Sequence, residues 1–236
     1  MPTSTPEQPD FHELEKKIQV TFKSIDHLRQ ALVHRSYLNE NPDFELGHNE
    51  RLEFLGDAVL ELVVTQYLYN NYPNPEGDLT NWRSSIVNSK KLAEISKRLE
   101  FEQFLYLSRG EAKDTGRARE YILGNTFEAV VGGIYLDQGF DKASEFIHRE
   151  LIIELPDIIE NKLYLDPKSK LQEHAQEELK LTPQYKVLES FGPDHDKSFK
   201  VGVYLGSELA GEGVGSSKQT AQLEAARDAL HQRNWE

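Results

Sequence analysis

From residue 11 to about residue 159 the apolar residues recur at three- and four-residue spacing, as in Leu92, Ile95 and Leu99 or Leu28 and Leu32. That period predicts a succession of amphipathic helices, and strand-like alternation is scarce here. Turn residues punctuate the pattern at Asn41-Pro42, at Tyr72-Pro73-Asn74-Pro75-Glu76-Gly77 and at Ser108-Arg109-Gly110. The last of these opens a charged segment to Tyr121 that reads as mobile. Beyond Asp166-Pro167 the pattern changes. Residues 168–181 read as a helix capped by Ser169 or Asp166, and residues 184–190, 199–205 and 207–211 alternate as three short strands. Residues 217–232 close the chain as a helix with Ala and Leu on one face. The expected fold is an all-α domain over residues 11–163, then a small α+β module, α-β-β-β-α, over residues 167–234.

With 236 residues and 38% apolar content the chain is long enough for a core domain plus a small one. No stretch reaches the roughly 18 apolar residues needed to span a bilayer. The first ten residues are polar and contain prolines where a secretory signal is apolar, so a cytoplasmic protein with no membrane partner is expected. The absence of cysteine excludes disulfides, thiolate catalysis and cysteine zinc sites, so any metal must be held by oxygen or His. A formal net charge of −13 stands against nucleic-acid binding if charge alone decides. Its distribution changes that picture: residues 1–166 carry 18 basic and 29 acidic side chains, residues 167–236 carry 9 and 11. The C-terminal part is near neutral, and the acidity upstream fits a site that awaits cations.

The richest segment runs His48-Asn49-Glu50-Arg51-Leu52-Glu53-Phe54-Leu55-Gly56-Asp57-Ala58-Val59-Leu60. At about 100° per residue, Glu50, Glu53 and Asp57 share an arc of about 60°, with Leu52, Leu55, Val59 and Val63 opposite. Stacked like charges repel, so the stripe is either a solvated face or a cation site. A second segment, residues 122–135, places Asn125 and Glu128 one turn apart, opposite Phe127, Val130, Val131 and Ile134 and flanked by Ala129, Gly132 and Gly133. Small residues beside a polar pair allow close helix approach. If the acidic stripe packs there, oxygens of Glu53, Asp57, Asn125 and Glu128 converge in a way that suits Mg²⁺ or Mn²⁺. The plainer reading of the second helix is buried packing with a polar rim. Phe54 lies roughly 140° from the centre of its helix's apolar face, where a monomer exposes it.

Residues 48–60 resemble the ribonuclease III signature, and Ala31-Leu32-Val33-His34-Arg35-Ser36-Tyr37, Glu76-Gly77-Asp78-Leu79-Thr80, Arg83-Ser84-Ser85-Ile86-Val87-Asn88 and Glu128-Ala129 agree in order. The resemblance covers residues 15–232. It implies a homodimer that cuts both strands of double-stranded RNA with metal-activated water, leaving 5′-phosphate and short 3′-overhangs, with a role in rRNA and mRNA precursor processing. By similarity Glu53, Asp57 and Glu128 are metal ligands, with Asp57 and Glu128 catalytic, and Asn125 adds its neutral oxygen to that shell. Glu50 and Glu76 face the RNA and the subunit interface, and Phe54 plugs into the partner. The family usually has Asp where this chain has Asn125, which removes one negative charge from the site.

The tail resembles a double-stranded RNA-binding domain, carried by residues 166–173, Pro183-Gln184-Tyr185, Gly192-Pro193-Asp194-His195 and residues 213–221. Such domains read A-form shape across two minor grooves and the phosphates between. The resemblance implies that Ser169, Gln172 and Glu173 meet one minor groove, His195 the next, and Lys218 a phosphate between them. Gln219 stands where a second basic residue is usual, so phosphate binding should be weaker than average. Two other functions remain open from sequence: a non-catalytic binder of duplex RNA, and a metal-dependent nucleotide phosphohydrolase, which has no need of the C-terminal module.

Overall fold

A computed structural model describes residues 10–193 and 197–235. The chain divides into two compact units, one up to residue 161 and one from residue 162. The first is helical: α1 (Phe11–Ile18), α2 (Ile25–Ala31), α3 (Arg35–Glu40), α4 (Glu50–Asn71), α5 (Glu76–Ile86), α6 (Ser89–Arg98), α7 (Arg117–Gln138), α8 (Phe140–Glu150) and α9 (Leu155–Glu160). Among the described residues no helix is long and apolar enough to cross a membrane.

The centre of this unit is α7, buried on almost every side and packed against α2, α4, α6 and α8. Its glycines explain how so many neighbours fit. A methyl group at Gly132 would overlap the Leu52 carbonyl of α4, and one at Gly56 of α4 would overlap the Glu128 carbonyl of α7. Gly124 and Gly133 do not serve α4. A Cβ there would press on the backbone of Ser89 at 3.1 Å and of His27 at 3.2 Å, so they seat α6 and α2. The start of α4 is fixed by Asn49, which is buried and donates its backbone N–H to the Val33 carbonyl at 2.9 Å. Its side-chain amide donates to the Ala31 carbonyl at 3.1 Å, so it tethers a neighbouring segment and does not cap its own helix.

The charged segment after Gly110 is tied down, contrary to its reading as mobile. The Arg119 guanidinium is buried and donates to the carbonyls of Glu111, Ala112 and Asp114, satisfying backbone acceptors that a loop usually leaves to water.

The second unit contains α10 (Pro167–His174), β1 (Gln184–Phe191), β2 (Ser198–Leu205), β3 (Glu208–Gly215) and α11 (Lys218–Gln232). The strands form an antiparallel sheet in the order β1-β2-β3. Leu171, Val201, Val203, Leu205, Ala225 and Ala229 lie in the core where helices meet sheet. Asp166 caps α10, accepting from the backbone N–H groups of Lys168 and Ser169. The α-helix ends at His174, earlier than the pattern indicates, and continues as one wider turn over Ala175–Leu179. Strand β3 runs four residues past its expected end at Gly211. Gly211, Gly213 and Gly215 face α11, where a Cβ would strike the α11 residues Ala229, Ala225 or Ala221. Past Gly211 the strand's inward face is therefore glycine and carries no apolar signal.

Gly56→Ala should lower stability by about 1–3 kcal/mol through overpacking at a backbone contact. Gly77→Ala should be close to neutral, because nothing lies within 4 Å of a Cβ built there. Thermal unfolding of the two variants side by side checks the contrast; equal melting temperatures would contradict it.

Candidate functional site

Helix α4 leads with its acids. Glu50 and Asp57 are exposed and Glu53 is half-buried, while Leu52, Gly56, Val59, Leu60 and Val63 turn inward. Leu55, counted with the apolar face by its spacing, is only half-buried. Asn125 and Glu128 are the half-buried positions on the adjoining stretch of α7, between fully buried neighbours. The Gly56 and Gly132 contacts bring the two helices together beside these side chains.

Their electrostatics show how crowded the region is. Burial, then the charges of Asp57, Glu53 and Glu61, pushes the Glu128 carboxyl up to about 8. Glu53 is also raised, by burial first and then by Glu50 and Asp57, while a hydrogen bond from the Asn125 amide favours its charged form. Asn125 therefore lies within the acid group. Among the described residues no set of three or more acidic or imidazole side chains is gathered closely enough to form a ready metal cage. The four predicted oxygen ligands are neighbours without that convergence. Glu61 was absent from the sequence-based set, although its signal was present: it lies one turn beyond Asp57 on the same stripe.

The other predicted residues are distributed as follows. Phe54 is 81% exposed. Glu76 opens α5, accepts from the Thr80 hydroxyl at 3.0 Å and lines a hollow of about 580 Å³ with Tyr69, Tyr72 and Leu79. It is thus at the far end of α4 from Glu50. In the second unit Ser169, Gln172 and Glu173 line a shallow depression along α10. Ser169 also donates to Asp166 at 2.6 Å, and Glu173 stands 3.4 Å from Lys162. Lys218 is exposed at the first turn of α11, its ammonium 5.9 Å from the centre of the Phe199 ring. His195 lies outside the described residues.

The raised carboxyl of Glu128 has a definite thermodynamic sign. An unfolded Glu titrates near about 4.3, so between there and about 8 the folded chain takes up a proton that the unfolded chain does not. The associated stability is fully present below the ordinary Glu range and is lost as pH rises through about 8. In chelator, the melting temperature of the wild-type protein should fall between about pH 5 and about pH 8 more steeply than that of Glu128→Gln. Parallel curves from calorimetry would contradict the assignment.

Comparison with known proteins agrees along most of the chain. Residues 25–155 match the family described as Ribonuclease-III-like, and residues 167–233 match the double-stranded RNA binding motif. Ribonuclease 3 of Dehalococcoides mccartyi is 41% identical over 224 residues, covering 94% of this chain and 94% of that relative. Ribonuclease 3 of Streptococcus gordonii is 43% identical over 218 residues, covering 91% and 93% respectively. The solved nuclease domain of ribonuclease III from Campylobacter jejuni is 37% identical, with a TM-score of 0.55, and covers 61% of this chain and 96% of its own. With a helical nuclease domain followed by a double-stranded RNA binding motif, matched over nearly its full length, the chain belongs to the ribonuclease III family of endonucleases.

Proposed function

We propose that the chain hydrolyses double-stranded RNA as a magnesium-dependent homodimer, with Mn²⁺ as a possible substitute and the acids of α4 and α7 as its hydrolytic centre. The observation that carries this reading is the half-buried Glu128 carboxyl, held beside Asp57, Glu53 and Glu61 by a glycine-mediated helix contact. Such a group is stable protonated or beside a cation, and the surrounding charges that raise it are all carboxylates.

The donor set fits a hard divalent ion. Glu53, Asp57 and Glu128 would hold it by carboxylate oxygens and Asn125 by a neutral amide oxygen. Glu61 adds a negative charge to a site in which Asn125 supplies none. The ion, when bound, supplies Lewis-acid polarisation of the phosphate and a lower pKa for water. Within the chain, Glu128 would have to give up its proton to hold a cation, which would couple ion binding to pH. The hydrogen bond from Asn125 favours the charged form of Glu53, against the burial and neighbouring acids that raise its carboxyl. Asp57, exposed and adjacent to both, joins Glu128 as the catalytic pair. Glu50 faces the RNA at the head of α4. The products would be 5′-phosphate ends with short 3′-overhangs, and the setting rRNA and mRNA precursor processing in the cytoplasm. In the second unit, Ser169, Gln172, Glu173, His195 and Lys218 would contact the duplex.

The dimer reading has a geometric basis. Phe54, Leu62 and Tyr69 are exposed by 81%, 56% and 77% along one side of α4, and the hollow lined by Tyr69 and Tyr72 lies at its C-terminal end. Phe54 and Tyr69 are about 22 Å apart along the axis at 1.5 Å per residue, with Leu62 midway. A two-fold axis beside Leu62 sets each Phe54 over the partner's hollow and brings the partner's Glu76 towards Glu50. The related Campylobacter jejuni nuclease domain has a flexible region involved in dimer formation.

Asp57→Ala should abolish cleavage of a long RNA duplex in Mg²⁺, by at least about a hundredfold, while duplex binding persists. Gel analysis of products beside a mobility-shift titration tests this; cleavage near wild-type rate would overturn the site. Phe54→Ala should keep the fold and weaken the dimer, by about 2–4 kcal/mol if the ring fills the partner's hollow. Sedimentation at graded concentrations checks it, and a wild-type monomer at micromolar concentration would refute the arrangement.

A further inference from the structure

The block His34-Arg35-Ser36 is a motif that the proposed function leaves without a task. The chain fixes it from two sides. His34 donates its backbone N–H to the Tyr106 carbonyl at 3.1 Å, and Tyr106 returns a bond to the Leu32 carbonyl at 2.9 Å. Ser36 takes the Ser108 N–H on its hydroxyl at 3.1 Å and is 2.8 Å from His34 Nδ1. On the other side, Asn49 binds the carbonyls of Ala31 and Val33 immediately before α4 begins. These backbone bonds bring Arg35 to the head of the acid stripe. Its guanidinium Nη1 lies 3.4 Å from Glu50 Oε1, with the side chain still 70% exposed. His48 Nδ1 is 3.7 Å from the other carboxylate oxygen of Glu50, Oε2, and that nitrogen is buried without a hydrogen-bond partner.

An ion pair this exposed contributes little to stability, so stability does not explain why the backbone is clamped to present Arg35 there. Chemistry does. A phosphodiester approaching the acids of α4 is repelled by Glu50, Glu53, Asp57 and Glu61, and a cation at the head of the stripe offsets that repulsion. A guanidinium offers a planar fork matched to two phosphate oxygens and keeps its charge at every working pH. Glu50 lies beside one arm of the fork in the free protein and leaves it exposed.

We infer that Arg35 is a phosphate-positioning residue, which leaves Glu50 to grip an RNA backbone phosphate beside the hydrolytic centre. The inference rests on reading the α4–α7 acids as that centre, and its test separates the two. Binding of the full-length protein to a long RNA duplex is measured in chelator across a salt series, so that no cleavage intervenes. Arg35→Ala should make the slope of log affinity against log salt shallower by about one for each chain whose arginine engages. In Mg²⁺, KM should rise roughly tenfold while kcat changes less than about twofold. Arg35→Lys should restore most of the salt slope because it keeps the charge. If Arg35→Ala lowers the melting temperature, Arg35→Gln decides in its place. A wild-type slope and KM in the neutral variants would overturn the inference. A wild-type protein that binds but does not cut would overturn the hydrolytic reading, and the salt slope would still decide the role of Arg35.

Discussion

The backbone contact between α4 and α7 is the constraint from which the rest of this site follows. Packed helices ordinarily keep their axes 8–10 Å apart, a spacing set by interposed side chains. Glycines at 56 and 132 remove those side chains, so each helix rests on the other's peptide groups. The acids beside the crossing are brought close in partly dry surroundings, where charges interact far more strongly than in water. The raised carboxyl of Glu128 is a direct consequence. One geometric decision makes the core compact and leaves a charge conflict that a cation can resolve.

That conflict contrasts with how the first unit treats its other charges. Lys91 bridges Glu94 and Glu154, Arg98 reaches Glu150 and Glu154, and Arg29 lies between Asp26 and Glu45. Glu154 is accordingly held below the ordinary carboxylate range, despite partial burial, by hydrogen bonds from Arg98 and Lys91. Burial opposes ionisation in both Glu154 and Glu128, and the sign of the neighbours decides the outcome. Acids given cations serve structure here. Acids given only other acids keep their mutual repulsion.

The legible parts of the sequence were those that depend on periodicity. The helix period places Glu50, Glu53 and Asp57 on one stripe and Phe54 outside the apolar face, and it places Glu61 there as well, though Glu61 falls beyond the recognisable signature. The small residues on α7 announced close approach, but composition does not say to which neighbour. Gly132 receives α4, whereas Gly133 and Gly124 receive α2 and α6. Gly56 carries half of the crossing and looks in sequence like an ordinary helix glycine. The run of β3 past Gly211 was hidden for a related reason, because a strand packed through glycine has no apolar face to read. Arg119 was hidden by charge: a buried arginine that satisfies three carbonyls looks, in sequence, like the solvated loop residue it replaces.

The formal charge of −13 takes a different meaning from this arrangement. Averaged over the surface it would repel any nucleic acid, yet the averaging is misleading. Many cations of the nuclease domain are engaged by acids, and the RNA-binding domain is close to neutral with Lys218 exposed. Where α4 and α7 meet, the charges around Glu128 are all carboxylates. On the proposed reading these acids oppose the approach of a phosphate to the hydrolytic centre. On the proposed reading a divalent cation has two roles that cannot be separated by geometry: it supplies the hydrolytic chemistry, and it removes the repulsion that keeps the scissile phosphate away. A monovalent ion at the same place would relieve less of that repulsion and would polarise the phosphate weakly, so the demand for a divalent ion is electrostatic before it is chemical.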